Sequence, residues 1–233
     1  VYFTDGRIIV KGKTVKRAKG KKADYILYYK SNLPIAIIEA KDNKHSIGDG
    51  MQQGLEYADI LDIPFVFSSN GDGFLEHDRT VSEGNVEREI SLQQFPSPEE
   101  LYHRYKIWKG LSLEEEQIVR QDYYYSPTSK IPRYYQEIAI NRAVESIAKG
   151  KDRVLLVMAT GTGKTFTAFQ IMWRLWKAKK KKRILFVADR NILVDDPMRR
   201  DFAQFGEKMV KINRSNFDIS RYSAYEIFIG LYQ

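Results

Sequence analysis

Residues 153–165 read RVLLVMATGTGKT, and this segment decides the fold of the second half of the chain. The apolar run 153–157 is typical of a buried strand, and a glycine-rich loop follows it. The next apolar residues recur at helical spacing; they are Ala168, Ile171, Met172, Leu175 and Trp176. A second buried-strand pattern occupies 183–188. The order strand, loop, helix, strand predicts a parallel βαβ unit.

The loop has the chemistry of a phosphate-binding loop. Its central residues are Gly161, Thr162, Gly163, Lys164 and Thr165. The glycines let consecutive N–H groups point inward, and the helix N-terminus adds its dipole. Lys164 is expected to reach the β- and γ-phosphates, and Thr165 to ligate Mg²⁺. The generic signature has glycine where this chain has Met158. An ordinary glycine-rich turn is the alternative.

The first part of the chain predicts a hairpin. Residues 34–40 form a continuous apolar run that is typical of a strand buried on both faces, and 25–29 form another β-type run. A symmetric turn centred between residues 31 and 32 places Asp24 directly opposite Glu39, with their Cβ atoms about 5 Å apart. A bulge, or a kink at Pro34, would shift this register.

Two carboxylates this close repel each other unless a cation lies between them, so Asp24 and Glu39 predict a divalent metal site. Lys41 lies two residues after Glu39, on the same face of the strand. A metal ion, two acids and an adjacent lysine are the components of a phosphodiesterase site, in which the lysine orients water and stabilises the transition state. The alternative is a structural ion pair.

A helix is predicted to follow over residues 49–60, with Met51, Leu55 and Ala58 at helical spacing. Gln53 and Tyr57 are four residues apart and share one face of it. Farther along, an amphipathic helix is predicted from Ile140, Ala143, Val144, Ile147 and Ala148, and Gln136 lies at its start.

Composition narrows the class of protein. A chain of 233 residues favours two domains. No run approaches the roughly 18 apolar residues of a membrane span. The absence of cysteine excludes disulfide scaffolds and thiolate metal sites, and fits the cytoplasm. With 38 Lys and Arg against 30 Asp and Glu, the net charge of +8 suggests a polyanionic partner.

Two basic runs have separate interpretations. The run 11–22 holds seven Lys or Arg and no acid. It is either a phosphate-backbone contact beside Asp24 or a solvated loop. The run 177–183 is interpreted as a solvated helix end, where cations suit the helix dipole.

Both groups of residues resemble known enzyme motifs. Ala23-Asp24-Tyr25 together with Ile38-Glu39-Ala40-Lys41 resembles the PD-(D/E)xK nuclease core. Gln53 and Tyr57 resemble the QxxxY motif of one branch of that superfamily, which implies that they join the catalytic group. The loop resembles that of superfamily 2 helicases. Arg133-Tyr134-Tyr135-Gln136 resembles their Q-motif, which implies that Gln136 reads adenine.

The combination resembles the N-terminal part of the restriction (R, or HsdR) subunit of type I restriction-modification enzymes. The resemblance implies an α/β fold: a nuclease-like mixed sheet over residues 1–110, N-terminally incomplete; a linker over 111–130; and part of a RecA-like parallel helicase lobe over 131–233, C-terminally truncated. It further implies Mg²⁺ and ATP as cofactors, and double-stranded DNA and the methyltransferase (M) and specificity (S) subunits as partners.

The activity implied is ATP-dependent DNA translocation coupled to Mg²⁺-dependent endonuclease cleavage. Because no acidic Walker B motif follows the loop in this sequence, the fragment is expected to bind nucleotide at best, without turnover. The alternatives are another nuclease-helicase fusion, of the type III or repair kind, and a nucleotide-gated DNA-binding module without nuclease activity.

Overall fold

The computed structural model describes residues 2–3, 8–11, 14–17, 20–212 and 222–232. The chain forms two compact units, Val1–Ser112 and Leu113–Gln233. In these described residues no helix is long and apolar enough to cross a membrane. Of the basic run 11–22, residues 12, 13, 18 and 19 lie outside the described part, so neither of its interpretations is tested.

The first unit begins with four short strands in two antiparallel pairs: β1 (Tyr2–Phe3) with β4 (Lys21–Lys22), and β2 (Ile8–Lys11) with β3 (Thr14–Arg17). Five further strands form a mixed sheet: β5 (Tyr25–Lys30), β6 (Leu33–Ala40), β7 (Phe65–Ser69), β8 (Gly73–Asp78) and β9 (Glu87–Ser91). Their order in the sheet is β5-β6-β7-β8-β9. The β6–β7 pair is parallel and the other pairs are antiparallel.

The helices of this unit are α1 (Met51–Leu61), a 3₁₀ turn (Leu92–Gln94) and α2 (Pro98–Lys109). The start of α2 is specified locally, because Pro98 occupies its first turn and the Ser97 hydroxyl accepts a hydrogen bond from the Glu100 N–H at 3.1 Å. Arg104 of α2 donates to Glu76 and Asp78 of β8. This ion-pair network ties the helix to the sheet.

The β5–β6 hairpin has the predicted register at its open end. Tyr25 pairs with Ile38, Ile26 with Ile37, and Leu27 with Ala36. Irregularities on both sides of Tyr28 offset each other before the turn. A bulge therefore exists, as the sequence allowed, yet it does not shift the residues beside Asp24.

The second unit contains a three-stranded parallel sheet of β10 (Ile184–Ala188), β11 (Met209–Lys211) and β12 (Ile227–Leu231). The strand order is β10-β12-β11. Its helices are α3 (Leu113–Val119), α4 (Tyr134–Ala148), α5 (Lys164–Lys177), α6 (Ile192–Arg199) and a 3₁₀ segment (Asp201–Lys208). The core joins Phe166, Phe169 and Met172 of α5 to Phe202, Phe205 and the inner residues of β12. The predicted α/β class, with a mixed sheet followed by a parallel sheet, is confirmed.

One predicted strand is wrong. Residues 153–157 form no strand, and Leu155 and Val157 are 86% and 88% exposed. A strand needs a hydrogen-bonded neighbour, and no described strand pairs with this segment. Its apolar sequence is therefore not enough to place it in the sheet.

Two of the polar side chains buried in α5, which the apolar pattern did not indicate, bind the segment before α4. Gln170 accepts a hydrogen bond from the Tyr124 N–H at 2.9 Å and donates to the Tyr124 carbonyl at 3.1 Å. One turn later, Arg174 donates to the carbonyls of Val119 and Gln121 at 2.6 and 2.7 Å. These contacts fix the segment before α4 onto α5, the helix that begins after the glycine-rich loop.

Candidate functional site

Asp24 and Glu39 lie together at the open end of the β5–β6 hairpin. The Asp24 N–H donates to Glu39 Oε1 at 3.3 Å, and Asp24 Oδ2 accepts from the Ala40 N–H at 3.0 Å. Glu39 is completely buried, whereas Asp24 is exposed. The structure therefore places one carboxylate in the protein interior and the other beside it at the surface.

The electrostatic state of Glu39 follows from its burial. Desolvation, with a smaller contribution from the Asp24 charge, raises the pKa of Glu39 from 4.5 to about 7. The hydrogen bond from the Asp24 backbone and the charge of Lys41 act in the opposite direction. Glu39 Oε2 is buried and has no hydrogen-bond partner among the described residues. A buried carboxylate oxygen without a donor is a favourable place for a cation.

The donor set fits Mg²⁺. No group of three or more His, Asp or Glu side chains that could hold a metal ion occurs in the described ranges. Mg²⁺ does not require such a cage, because it commonly binds one or two carboxylates and takes its other ligands from water and substrate phosphates. Asp24 and Glu39 supply two carboxylates, and the unpaired Glu39 Oε2 supplies an acceptor that the protein leaves unused.

Lys41, Gln53 and Tyr57 form a chain of hydrogen bonds beside the two acids. Lys41 Nζ donates to Gln53 Oε1 at 3.3 Å, and Gln53 Nε2 donates to Tyr57 Oη at 3.0 Å. The Tyr57 ring is buried and packs edge-on against Phe3, with the ring centroids 4.9 Å apart. The structure thus brings the three predicted residues together, and the packed tyrosine fixes the glutamine that orients the lysine.

Helix α1 contacts the sheet directly behind Glu39, and residues that the sequence did not single out make this possible. A Cβ atom on Gly50 would lie 2.9 Å from Glu39 Cβ, and one on Gly54 would lie 2.5 Å from Val66 Cγ1. The Gly50 N–H donates to the buried Ser68 hydroxyl at 3.0 Å. Glycines four residues apart on one helix face were the sequence signal for this close approach.

In the second unit, hydrogen bonds within the glycine-rich loop of residues 158–165 hold its backbone. Gly161 and Gly163 have φ values of 79° and 85°, which glycine adopts readily. The Thr162 hydroxyl donates to the Ala159 carbonyl at 2.6 Å. Lys164 Nζ donates to the carbonyls of Met158 and Ala159, both at 3.2 Å. Thr165 lies in the first turn of α5, after the lysine.

Gln136 braces this loop. Its Oε1 accepts from the Arg133 N–H at 2.9 Å, and its Nε2 donates to the Thr162 carbonyl at 2.8 Å. The Tyr135 hydroxyl donates to the same carbonyl at 3.3 Å. A Cβ atom on Gly163 would collide with Gln136 Nε2. Both ends of the Gln136 amide are thus engaged within the protein, and adenine recognition by this residue stays a prediction.

Comparisons with known proteins agree with both halves of the chain. Residues 8–85 match the family model for the N terminus of type I restriction enzyme R proteins, and residues 129–233 match that for the res subunit of type III restriction enzymes. The EcoAI type I endonuclease subunit of Escherichia coli is 54% identical over 100% of this chain, which spans 28% of that relative. The EcoKI subunit of E. coli strain K12 is 28% identical over 73% of this chain and 18% of its own length.

A solved structure is also similar. The match is to a fragment of an HsdR subunit of a type I restriction enzyme from Vibrio vulnificus YJ016, with 42% identity and a TM-score of 0.76. It covers 99% of this chain and 41% of the solved chain. The chain therefore spans only the smaller part of each of these relatives.

Proposed function

The chain belongs to the family of type I restriction enzyme R subunits, and from this premise we propose that it provides the nuclease centre and the phosphate-binding lobe of an ATP-dependent DNA endonuclease. The substrate would be double-stranded DNA, and the chemistry would be Mg²⁺-dependent phosphodiester hydrolysis coupled to ATP-driven translocation. The observation that carries the nuclease proposal is the buried, unpaired Glu39 Oε2 next to Asp24 and near the oriented Lys41.

Each residue of the first unit has a role in this proposal. Asp24 and Glu39 would hold Mg²⁺, which activates a water molecule and neutralises the charge that develops on the phosphate. Lys41 would add a fixed positive charge for the attacking water and the transition state. Gln53 restricts the lysine ammonium to one position, and Tyr57 restricts Gln53. A lysine held in advance does not have to be ordered during the reaction.

The second unit would bind ATP through the loop that precedes α5. Lys164 now donates to two loop carbonyls, so it would exchange these partners for the β- and γ-phosphates. Thr165 would ligate the Mg²⁺ that accompanies the nucleotide. Gln136 and Tyr135 would hold the loop backbone at Thr162 while this exchange takes place.

The partners in this proposal are duplex DNA, ATP and the M and S subunits of the restriction complex. The recognised DNA sequence would be read by the S subunit. A DNA-binding module without nuclease activity is the alternative that the experiment below separates from this proposal. The cytoplasmic location stays a prediction.

The test uses the R subunit at the full length of its relatives, assembled with its M and S subunits. Asp24→Ala and Lys41→Ala should each abolish Mg²⁺-dependent cleavage while ATP hydrolysis continues. Lys164→Ala should abolish ATP hydrolysis and translocation. Lys130→Gln, an exposed cation outside both sites, is the matched control and should leave both activities unchanged. Unchanged cleavage by Lys41→Ala would refute the nuclease assignment, and unchanged hydrolysis by Lys164→Ala would refute the ATPase assignment.

A further inference from the structure

The turn that joins α5 to β10 carries a dense positive charge that neither proposed site uses. Residues 177–183 contain six Lys or Arg in seven positions, and we call this segment the basic turn. All of its cations except Lys180, which is half-buried, are exposed. The segment contains no acid.

The basic turn is almost free of compensating charge in the described part of the chain. Its one ion pair joins Lys180 Nζ to Glu114 Oε1 at 4.0 Å. Arg183 donates to the Ser223 carbonyl at 3.4 Å, a contact with a neutral group. No ion pair is found there for Lys179, Lys181 or Lys182. Like charges this close repel one another, so a binding partner of opposite charge would relieve an existing cost.

The backbone and the neighbouring rings hold two of these cations in place. Lys179 has φ 58°, a left-handed conformation that helix ends usually give to glycine and that costs another residue about 1 kcal/mol. Lys177 Nζ lies 4.6 Å and 4.7 Å from the ring centroids of Trp173 and Trp176. The turn therefore keeps a lysine where glycine would be less strained, and keeps another ammonium on an aromatic surface.

The helix dipole does not account for the whole cluster. A cation in the last turn of a helix gains about 0.3–1 kcal/mol, and the effect does not extend beyond that turn. Lys181, Lys182 and Arg183 lie after the end of α5 at Lys177. The solvated helix end inferred from the sequence thus explains Lys177 but leaves the later cations without a function.

We propose that the basic turn binds the phosphate backbone of duplex DNA without reading its sequence. Duplex DNA carries one negative charge per about 1.7 Å of its axis, so closely spaced lysines can each meet a phosphate. Lysine suits this contact as a point charge, and Arg183, the one arginine of the turn, already donates to the Ser223 carbonyl. The inference deepens the proposed function, on which its choice of DNA rests, by assigning a DNA contact separate from Asp24 and from the phosphate loop.

The experiment measures binding of the 233-residue chain to a short fluorescent DNA duplex at several salt concentrations. The triple variant Lys179→Gln, Lys181→Gln, Lys182→Gln should bind about tenfold more weakly, and the slope of log affinity against log salt should fall by about one for each lost contact. Gln at position 179 leaves the backbone strain unchanged. The corresponding triple Arg variant should bind like the wild type because it keeps the charge.

The double variant Lys130→Gln, Arg199→Gln removes two exposed cations elsewhere in the same unit and should change the affinity by less than about twofold. If the control lost as much affinity for each charge removed as the triple Gln variant does, binding would be assigned to net charge and the proposal would be overturned. Wild-type affinity in the triple Gln variant would also overturn it. If that variant kept its DNA affinity but lost binding to polyglutamate, the surface would belong to an acidic protein instead.

Failure of this inference is distinguishable from failure of the proposed function. Weaker binding by the triple Gln variant, together with normal cleavage by Asp24→Ala, would retain the DNA surface and refute the nuclease. Unchanged binding by the triple variant, together with cleavage lost in Asp24→Ala, would refute the DNA surface and retain the nuclease.

Discussion

Asp24 donates its backbone N–H to Glu39 Oε1 at 3.3 Å, while its own carboxylate accepts from the N–H of Ala40, the residue after Glu39. This reciprocal pair fixes two acids at the end of one hairpin with only one of them in contact with water. Burial raises the pKa of Glu39 to about 7, so this acid holds its proton below about pH 7 unless a cation displaces it.

The first prediction concerns the pH dependence of stability. The pKa of Glu39 rises from 4.5 to about 7 on folding, so the folded chain binds more protons than the unfolded chain between these values. The free energy of unfolding should therefore fall by at most about 3 kcal/mol as the pH rises through this window, and level off above it. Glu39→Gln should remove most of this fall, which urea denaturation at about pH 5 and about pH 8 measures.

Mg²⁺ provides the control for this prediction. At the higher pH it should raise the unfolding free energy of the wild type, because it binds the ionised Glu39, and it should have much less effect on Glu39→Gln. A wild-type stability that is equal at both pH values would mean that Glu39 is not held protonated by burial.

The second prediction separates the lysine-orienting glutamine from the tyrosine behind it. Gln53→Leu removes the acceptor of Lys41 and should lower DNA cleavage by the assembled enzyme about tenfold with little change in DNA binding. Tyr57→Phe keeps the packing on Phe3 and removes one hydrogen bond, so it should lower the free energy of unfolding by about 1 kcal/mol. Its loss of cleavage activity should be smaller than that of Gln53→Leu. If Tyr57→Phe impaired cleavage more than Gln53→Leu, the proposal that Tyr57 acts only through Gln53 would be wrong.

The third prediction tests the close contact of α1 behind Glu39. Gly54→Ala places a methyl group 2.5 Å from Val66 Cγ1 and should destabilise the chain by about 1–3 kcal/mol. Adding Val66→Ala removes the colliding atom, so the double variant should lose less stability than the two single losses combined. Gly20→Ala, where no atom lies within 4 Å of the added Cβ, is the control and should be close to neutral. Strictly additive losses would show that the two residues do not meet.

The sequence predicted those features that depend on local pattern. The hairpin register followed from a symmetric turn, and the α4 helix followed from apolar spacing, which the burial of Ile140, Ala143 and Val144 confirms. Features that depend on residues distant in the sequence could not be predicted from it. Residues 153–157 have a strand sequence but no pairing strand, and apolar periodicity cannot show that Arg174 of α5 is buried.

The pair formed by Asp24 and Glu39 shows the same difference between local and distant features. Sequence spacing was enough to predict that Asp24 and Glu39 are neighbours. The apolar run before Glu39 also indicated that this acid is buried, but it could not show that α1 covers Glu39 through Gly50 and Gly54. Nor could it show that Lys41 is already bonded to Gln53, since the helix that carries Gln53 is separated from the strand by a loop.

The fourth prediction asks whether Gln136 reads adenine or supports the phosphate loop. Gln136→Leu removes the donor to the Thr162 carbonyl, so the loop should lose this hydrogen bond whatever base the nucleotide carries. Affinity for ATP and for GTP, measured with fluorescent analogues, should then fall by a similar factor of about five to ten, as expected for one lost hydrogen bond of about 1 kcal/mol or slightly more. Tyr135→Phe removes the weaker 3.3 Å contact to the same carbonyl and should have a smaller effect on both nucleotides. If Gln136→Leu weakened ATP alone, its amide would have to leave Arg133 and Thr162 to bind adenine, and the bracing role would be wrong.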